Sequence, residues 1–236
     1  MTHLKPTETN SLGQPIGELV ENWKPPPIPS DEAMEGRFCR LERLAPSKHG
    51  PPLFAANATD VSGAMWTYLP YGPFPDFDGY LAWLTERAKS TDPMFFAIVE
   101  RSSGRAIGLA SYLRIDPAAG SIEVGHLAYS PALQRTPAAT EAMSLMMKRA
   151  FDLGYRRYEW KCNALNAASC AAARRLGFVF EGIFRQALVV KGRNRDTAWF
   201  SILDREWPRL RDRFERWLAP RNFDDNGRQK ISLSDC

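Results

Sequence analysis

The alternation of apolar and polar residues divides the chain into four stretches. Residues 1–36 are rich in Pro, Glu and Asn and follow neither the helical nor the strand period, so we expect an extended arm. Residues 37–203 alternate strand-like and helix-like segments, which predicts one α/β domain of the mixed α+β kind. Residues 204–219 have the pattern of an amphipathic helix. The polar residues 220–236 predict a disordered tail.

The elements predicted within the domain have a definite order. Three strands at 95–101, 106–115 and 121–130 follow one another across short Gly-containing turns, and this arrangement predicts an antiparallel meander. Around the meander the pattern predicts, in chain order, a strand from Arg37, a helix-like segment HGPPLFAANA, a helix over FDGYLAWLTERAKS, a helix from Pro137 to Leu153, a strand at 156–162, a helix over NAASCAAARRLG and two closing strands joined by a turn at 191–195.

Single residues specify the ends of several helices. Asp76 or Asp78 is suited to cap the helix that begins near residue 77. Thr136 as N-cap and Pro137 as first helical residue specify the start of the long helix. Gly177 is suited to end the next helix in a left-handed conformation.

Two apolar features require packing partners. Leu19, Val20 and Trp23 favour contact of the arm with the domain surface, because disordered tails seldom expose a Trp side chain to water. The apolar stripe of the C-terminal helix also needs a cover. The chain's own sheet or a second subunit can supply it, and we therefore expect a monomer or a homodimer.

The composition is that of an ordinary soluble protein. Hydrophobic residues make up 44% of the 236 residues and charged residues 25%. No apolar run approaches the about 20 residues that a membrane span needs. The N-terminal residues include prolines and acidic residues and no apolar stretch of signal-peptide length, so we expect a cytoplasmic location without membrane association. The four cysteines lack metal-ligand spacing, and neither a metal site nor a disulfide framework is expected.

The net charge of +4 is mildly basic and suits an anionic ligand such as a nucleotide cofactor. The basic residues of the C-terminal third raise the alternative of a nucleic-acid surface. They are not interleaved with aromatic residues as in known nucleic-acid readers, so no nucleic-acid partner is expected.

The strand at 121–130, the polar turn after it and the helix start at Pro137 together predict an anion site. Unpaired N–H groups and the positive end of the helix dipole meet at such a point, and a pyrophosphate fits there. Arg135 is placed to contact a phosphate, and the hydroxyls of Thr136 and Thr140 can supply further hydrogen bonds.

Two motifs within residues 37–203 resemble those of the GNAT acetyltransferases. The acyl-CoA motif of that family is Gln or Arg, two residues, Gly, one residue, then Gly or Ala. Gln134 and Ala139 fit it, whereas Pro137 stands at the first glycine position and removes one backbone donor. The second block resembles the Rim-type branch, which acetylates protein N-termini or small amines. Its matching positions are Asn166, Ser169, Gly177, Phe178, Glu181 and Gly182.

The resemblance implies a GNAT fold, with a mixed and mostly antiparallel sheet of six or seven strands flanked by helices. It also implies a V-shaped splay between the fourth and fifth strands. The implied reaction moves an acetyl group from acetyl-CoA to a primary amine without a metal. The residues implied to bind acetyl-CoA are Leu127, Ala128, Gln134, Arg135, Thr136, Ala138, Ala139, Thr140, Asn166 and Ser169.

Two candidate bases flank Gly125, whose place within a strand signals a bulge. A regular strand separates Glu123 and His126 onto opposite faces, and a bulge can reverse one of them. Glu123 stands at the family's common base position. His126 has an ordinary pKa of about 6.5 that suits a base at neutral pH, so both remain candidates.

The leaving thiolate and the acceptor require further groups. Many GNAT members place a tyrosine acid where this chain has Ala173, which leaves Ser169 as the candidate donor of a proton or holder of a water. Because a thiol has a pKa of about 8.5, a dedicated acid is dispensable. The acceptor pocket is predicted from the aromatic segment, with Tyr68 and Tyr71 as contacts and Trp66 beside them, more suited to the core.

Two alternatives to direct amine attack follow from particular residues. Pro137 in the phosphate turn is compatible with a catalytically inactive domain that binds acyl-CoA as a sensor or scaffold. Cys162 and Cys170 fall near the predicted cofactor groove, so a covalent acyl-enzyme is the other alternative.

Overall fold

The computed structural model describes residues 8–236. Five helices and seven long strands form the domain. The helices are α1 (Pro46–Asn57), α2 (Phe77–Lys89), α3 (Pro137–Asp152), α4 (Ala167–Leu176) and α5 (Trp207–Leu218). The strands are β1 (Cys39–Arg43), β2 (Met94–Glu100), β3 (Ala106–Asp116), β4 (Ser121–Tyr129), β5 (Arg157–Asn163), β6 (Val179–Val190) and β7 (Arg193–Leu203).

The central sheet has the order β1-β2-β3-β4-β5-β7-β6, with the two-residue strand Met34–Glu35 added outside β1. Neighbouring strands are antiparallel except β4 and β5, which are parallel. This confirms the predicted mixed, mostly antiparallel sheet flanked by helices. The eighth strand lies inside the segment predicted as an arm.

Two apolar clusters cover the two faces of the sheet. Ile122 and Val124 of β4 belong to the larger cluster with α3, α4 and α5. Phe95 of β2, Leu109 of β3 and Ala128 of β4 belong to the smaller cluster with α1 and α2. The second half of the sheet, β5 to β7, has helices only on the α3 side, because α1 and α2 end over β2 to β4. Polar side chains of β5 and β7 therefore line an uncovered face.

The pairing of β4 with β5 ends halfway along β4. Residues 121–124 pair with 157–160, and the register stops at Val124 and Trp160. Strand β5 continues to Asn163 on the β7 side alone. The two strands therefore splay apart beyond this point, as expected for the fourth and fifth strands.

A bulge in β4 lies at the mouth of this splay. Ser111 of β3 is opposite Gly125, and Leu109 is opposite Ala128, so β4 contains one more residue than β3 over this stretch. His126 is left-handed, with φ of 52°. The bulge that Gly125 signalled is present, and its left-handed residue is the neighbouring histidine.

The predicted helix ends are observed, and one predicted turn is shorter. Asp76 caps α2, Thr136 caps α3 with Pro137 in its first turn, and Gly177 ends α4 with φ of 102°. The turn expected over 191–195 contains only Lys191 and Gly192, both with positive φ. Two successive left-handed residues form the tight turn whose twist suits a β-hairpin.

The arm and the tail both pack on the domain. In the described part of the arm, the Arg156 guanidinium lies 5.7 Å from the ring centroid of Trp23, so this residue contacts the domain as expected. Leu19 and Val20, for which the same was expected, are exposed. The prediction of a disordered tail over 220–236 is wrong. Phe223 and Leu233 are buried, and the tail contains two 3-10 turns. Apolar residues separated by polar ones gave no periodic signal of this packing.

The apolar stripe of the C-terminal helix is covered within the same chain. Trp207, Phe214 and Trp217 are buried in the larger cluster. The Trp207 ring stacks on Phe151 of α3 at 5.1 Å, so α3 is the neighbour where the sheet itself was expected. Of the helices in residues 8–236, none is long and apolar enough to span a bilayer.

Candidate active site

The splay leaves part of the β4 main chain without a strand partner. His126 and Leu127 have no register partner on β3 or β5, whereas Ala128 pairs with Leu109. Main-chain N–H groups in such an unpaired stretch can donate to a carbonyl oxygen inserted between the strands. Leu127 lies in this unpaired stretch, whereas Ala128, the other β4 residue expected to bind acetyl-CoA, lies just outside it.

The loop from β4 to α3 combines a free donor with a helix N-terminus. Arg135 is exposed and left-handed, with φ of 61°, and within residues 8–236 its N–H has no acceptor. The Gln134 side chain donates to the Tyr129 carbonyl at 2.8 Å. The free N–H, the Arg135 guanidinium and the dipole of α3 together suit a phosphate group.

The side chains that follow Arg135 form hydrogen bonds or packing contacts within the protein. Thr136 Oγ1 accepts from Ala139 N–H at 3.2 Å and donates to the Leu133 carbonyl at 2.7 Å. Thr140 is buried and accepts from Arg175 at 3.1 Å, and Ala138 lies in the core. The hydroxyls that were expected to supplement the phosphate site are therefore engaged within the protein.

The start of α4 lies across the splay from β4. Asn166 Oδ1 accepts from Ser169 N–H at 3.0 Å, which caps the helix. In the described chain the Asn166 amide NH₂ has no acceptor, so it remains available to a ligand. Ser169 Oγ accepts from Trp160 Nε1 at 3.0 Å, and its hydroxyl also lies within hydrogen-bond reach of the Cys162 thiol.

Two cysteines lie beside Ser169. The Sγ atoms of Cys162 and Cys170 are 3.6 Å apart and both residues are buried. Burial is the largest cause that raises the pKa of Cys162, to about 11. The thiol is therefore protonated at neutral pH and is a weak nucleophile.

Glu123 is a buried carboxylate with one bound and one unbound oxygen. Its side chain is 4% exposed, and Oε2 contacts Arg114 Nη1 at 2.7 Å and Lys161 Nζ at 2.9 Å. Oε1 has no hydrogen-bond partner among residues 8–236. Burial raises the pKa of Glu123, while the charges of Lys161 and Arg114 act in the opposite direction.

An alternating row of charges extends from Glu123 across the uncovered face of the sheet. The contacts run from Arg114 to Glu123, Lys161, Glu159, Arg157 and Glu181, at 2.5–2.9 Å. The row was not predicted. The alternation of Arg157, Glu159 and Lys161 on one face of β5 is the signal that could have found part of it. Only the fold brings this face beside Glu123.

His126 lies on the same face of the sheet as Glu123. Its ring stacks on Tyr71 at 5.7 Å and packs against Phe95 at 5.0 Å, on the α1–α2 side. Glu123 faces that side because its neighbours Ile122 and Val124 face α3. The bulge thus brings together two side chains that a regular strand would separate.

Burial and charge both suppress the basicity of His126. Burial is the largest cause that lowers its pKa to about 4, and the positive charges of Arg87, Arg114 and Arg195 contribute. Its Nδ1 is buried without a partner in the described residues. His126 is therefore neutral at pH 7 and a weak base.

The aromatic segment between α1 and α2, residues 65–74, lies on the opposite side of the site from β5. Trp66 is buried in the smaller core cluster, as its bulk suggested, and its carbonyl accepts from Lys191 at 2.8 Å. Tyr68 is partly exposed and donates to the Leu165 carbonyl at 3.1 Å. Tyr71 contacts His126 directly. The tip of the β6–β7 hairpin thus meets this segment over the site.

Solved structures similar to this chain are acetyltransferases. A GCN5-related N-acetyltransferase from Brucella melitensis is 50% identical, with a TM-score of 0.89 over 91% of this chain and 98% of that one. A probable acetyltransferase (GNAT family) from Chromobacterium violaceum is 45% identical, with a TM-score of 0.77 over 83% and 98%. A comparison with curated proteins finds no match.

The likeness to the Rim-type branch is at the level of fold. RimL, a ribosomal L7/L12 alpha-N-protein acetyltransferase, is 19% identical, with a TM-score of 0.63 over 73% of this chain and 94% of its own. The acetyltransferase (GNAT) domain model matches residues 40–179, more than half of the chain. This chain belongs to the GNAT acetyltransferase family, whose acyl donor is acetyl-CoA.

Proposed function

We propose that this protein transfers the acetyl group of acetyl-CoA to a primary amine by direct attack in a ternary complex. The observation that carries the proposal is the unbound Oε1 of the buried Glu123, beside a splay whose main chain lacks partners. A base and a carbonyl-polarising segment are the two groups that acyl transfer requires.

Different residues around the splay bind different parts of acetyl-CoA. Arg135 and the N-terminus of α3 bind the pyrophosphate, and the Asn166 amide binds the pantetheine arm. N–H groups of Leu127 or Ala128 donate to the thioester carbonyl and stabilise the negative charge that develops on its oxygen. The unpaired β4 segment supports Leu127 over Ala128, which pairs with Leu109, and the free groups of Arg135 and Asn166 support their roles.

Glu123 removes the proton that the attacking amine loses. The amine nitrogen forms a bond to the thioester carbonyl carbon, and the proton passes to Oε1 directly or through a water. The carbon–sulfur bond then breaks, and the thiolate leaves with a proton from Ser169 or from solvent. Burial supports Glu123 over His126, because it raises the carboxyl pKa and lowers the imidazole pKa.

The cysteines take no covalent part in this scheme, because the Cys162 thiol is protonated at neutral pH. We expect Cys162→Ala and Cys170→Ala each to retain turnover within about threefold of wild type, with no acyl-enzyme accumulating in mass spectra. Loss of turnover in both variants together with trapped acyl-enzyme in wild type would instead establish a ping-pong reaction.

The block from Asn166 to Gly182 supports placement in the Rim-type branch. The acceptors proposed for this protein are therefore the amines of protein N-termini or of small molecules. The nearby Tyr68 and Tyr71 and the hairpin tip are suited to contact such an acceptor.

Thiol release across an amine library tests the proposal. Calorimetry with acetyl-CoA measures binding of the donor, and released CoA measures turnover with each amine and peptide. We expect both donor binding and amine-dependent release. Binding of acetyl-CoA without release from any acceptor would contradict the enzyme and favour an acyl-CoA sensor.

A further inference from the structure

Two arginines whose charges act on His126, Arg87 and Arg195, have no ion-pair partner among residues 8–236. Arg87 lies on α2, one turn after Trp83, whose ring contacts Tyr71 at 4.3 Å. Arg195 lies near the tip of the β6–β7 hairpin. Within residues 8–236 neither guanidinium forms an ion pair or a side-chain hydrogen bond, and the Nε of each is buried without a partner.

Further polar atoms on this side of the site are also unsatisfied. Tyr71 Oη and His126 Nδ1 are buried without partners in the described chain. On β7, Thr197 and Trp199 share the face of Arg195 through strand alternation, and Thr197 Oγ1 and Trp199 Nε1 are likewise unpartnered. Thr197 is only 4% exposed. A Trp N–H and an Arg Nε–H can only donate, so an acceptor-rich group satisfies them best.

The charges of the site do not balance without a ligand. In the alternating row, Arg114, Lys161 and Arg157 are matched by Glu123, Glu159 and Glu181. The charge of Glu123 acts on Arg195, but that carboxylate is already paired with Arg114 and Lys161. Within residues 8–236 neither Arg87 nor Arg195 has a carboxylate of its own. Both act on His126, and burial lowers the pKa of Arg195.

We propose that Arg87 and Arg195, with the donors of β7, bind an oxyanion group carried by the acceptor amine. The inference rests on the proposed acetyl transfer and names its substrate class: a primary amine that also bears a carboxylate or a phosphate. A guanidinium presents parallel N–H groups that match either oxyanion. The amine of such a molecule then lies toward Glu123, on the same face of the sheet.

Matched pairs of amines test the substrate class. The pairs are β-alanine and β-alaninamide, phosphoethanolamine and ethanolamine, and peptides that begin Ser-Asp or Ser-Asn, compared at equal concentrations of neutral amine. For at least one pair we expect wild-type kcat/KM to favour the oxyanion member by about 10- to 100-fold, because charge-assisted hydrogen bonds contribute that much. The pair that shows the largest ratio tells whether the oxyanion is a carboxylate or a phosphate. It also tells whether the acceptor is a small molecule or a peptide.

Variants of the two arginines test the location. We expect Arg87→Gln and Arg195→Gln each to reduce the preference for the oxyanion member by about tenfold. Arg193→Gln is the matched control, because Arg193 is an exposed arginine on the same hairpin. We expect this variant to retain the preference. A wild-type ratio near one for every pair, or ratios that both variants leave unchanged, would overturn the inference.

A binding measurement separates this inference from the proposed reaction. The same pairs are titrated by calorimetry into protein saturated with CoA. We expect tighter binding of the oxyanion member and loss of that difference in Arg195→Gln. If no amine causes release of CoA, the proposed function is wrong. A difference in binding between the two members of a pair would still show that the oxyanion subsite exists. Equal binding of both members would contradict the subsite even in an active enzyme.

Discussion

At the scale of single residues, burial has opposite effects on the two candidate bases. It disfavours the charged form of each, so it raises the pKa of Glu123 and lowers that of His126 to about 4. A base is more effective when its pKa is close to the working pH. Glu123 therefore gains basicity from its position and His126 loses it.

Replacement of the base should remove most of the catalysis. Glu123→Gln keeps the size of the side chain and abolishes its basicity, so we expect kcat to fall by about 10²- to 10⁴-fold. The Kd for acetyl-CoA, measured by calorimetry, should change little. Glu159→Gln is the control, because Glu159 contacts the same Lys161 without a place in the proposed reaction. Equal losses in both variants would indicate that the charge row matters as a whole.

The charge of Lys161 should set the pH dependence of the base. Glu123 acts as a carboxylate, so activity falls as the pH drops through its pKa. Lys161 lowers that pKa by its positive charge, and Lys161→Met therefore raises it. The acid limb of the kcat profile should move to higher pH in this variant, measured with one amine at saturation. An unchanged limb would assign it to another group.

At the scale of elements, the start of β1 is fixed by a side chain from α3. Glu141 is buried and accepts from the N–H groups of Arg37, Phe38 and Cys39 at 2.8, 2.6 and 2.8 Å. A Cβ on Gly36 would lie 2.5 Å from the same carboxylate, so this position requires glycine. This contact spans more than one hundred residues and joins the sheet edge to the helix of the cofactor loop.

Loss of this carboxylate should destabilise the whole domain. Glu141→Gln turns an amide NH₂ toward buried donors, and we expect the free energy of unfolding to fall by about 2–4 kcal/mol. Urea denaturation followed by circular dichroism measures it. Glu86→Gln, an exposed residue paired with Lys89, is expected to leave the stability unchanged. Similar midpoints for the two variants would contradict the anchoring role.

At the scale of the whole molecule, the last residues close the core between α5 and β1. Phe223 packs against Phe38 at 5.1 Å and against Trp217 at 5.4 Å. The Asn222 side chain donates to the carbonyls of Trp217 and Ile231. The tail thus ties the C-terminal helix to the first strand.

The packing of the tail predicts a selective loss of stability. Phe223→Ala removes a buried ring, and we expect the free energy of unfolding to fall by about 2–4 kcal/mol. Ile231→Ala is the control, because that side chain is 51% exposed and its loss should cost under about 1 kcal/mol. Chemical denaturation of both variants provides the measurement. A neutral Phe223→Ala would restore the expectation of a disordered tail.

The sequence by itself determined the features that depend on a few neighbouring residues. The caps at Asp76, Thr136 and Gly177, the meander of β2, β3 and β4 and the bulge near Gly125 follow from local hydrogen bonding and backbone preferences. The motif from Asn166 to Gly182 resembles the family for the same reason, since its residues lie on one helix and the strand that follows it.

Only the tertiary structure decided which distant side chains meet. The contact of Glu141 with β1, the pairing of Glu123 with Lys161 and the action of the Arg87 and Arg195 charges on His126 join residues from separate elements. Such contacts depend on the path of the whole backbone and leave no periodic trace in the sequence. The chemistry of the site arises from this convergence, because burial and neighbouring charge give each group its basicity and its available hydrogen bonds.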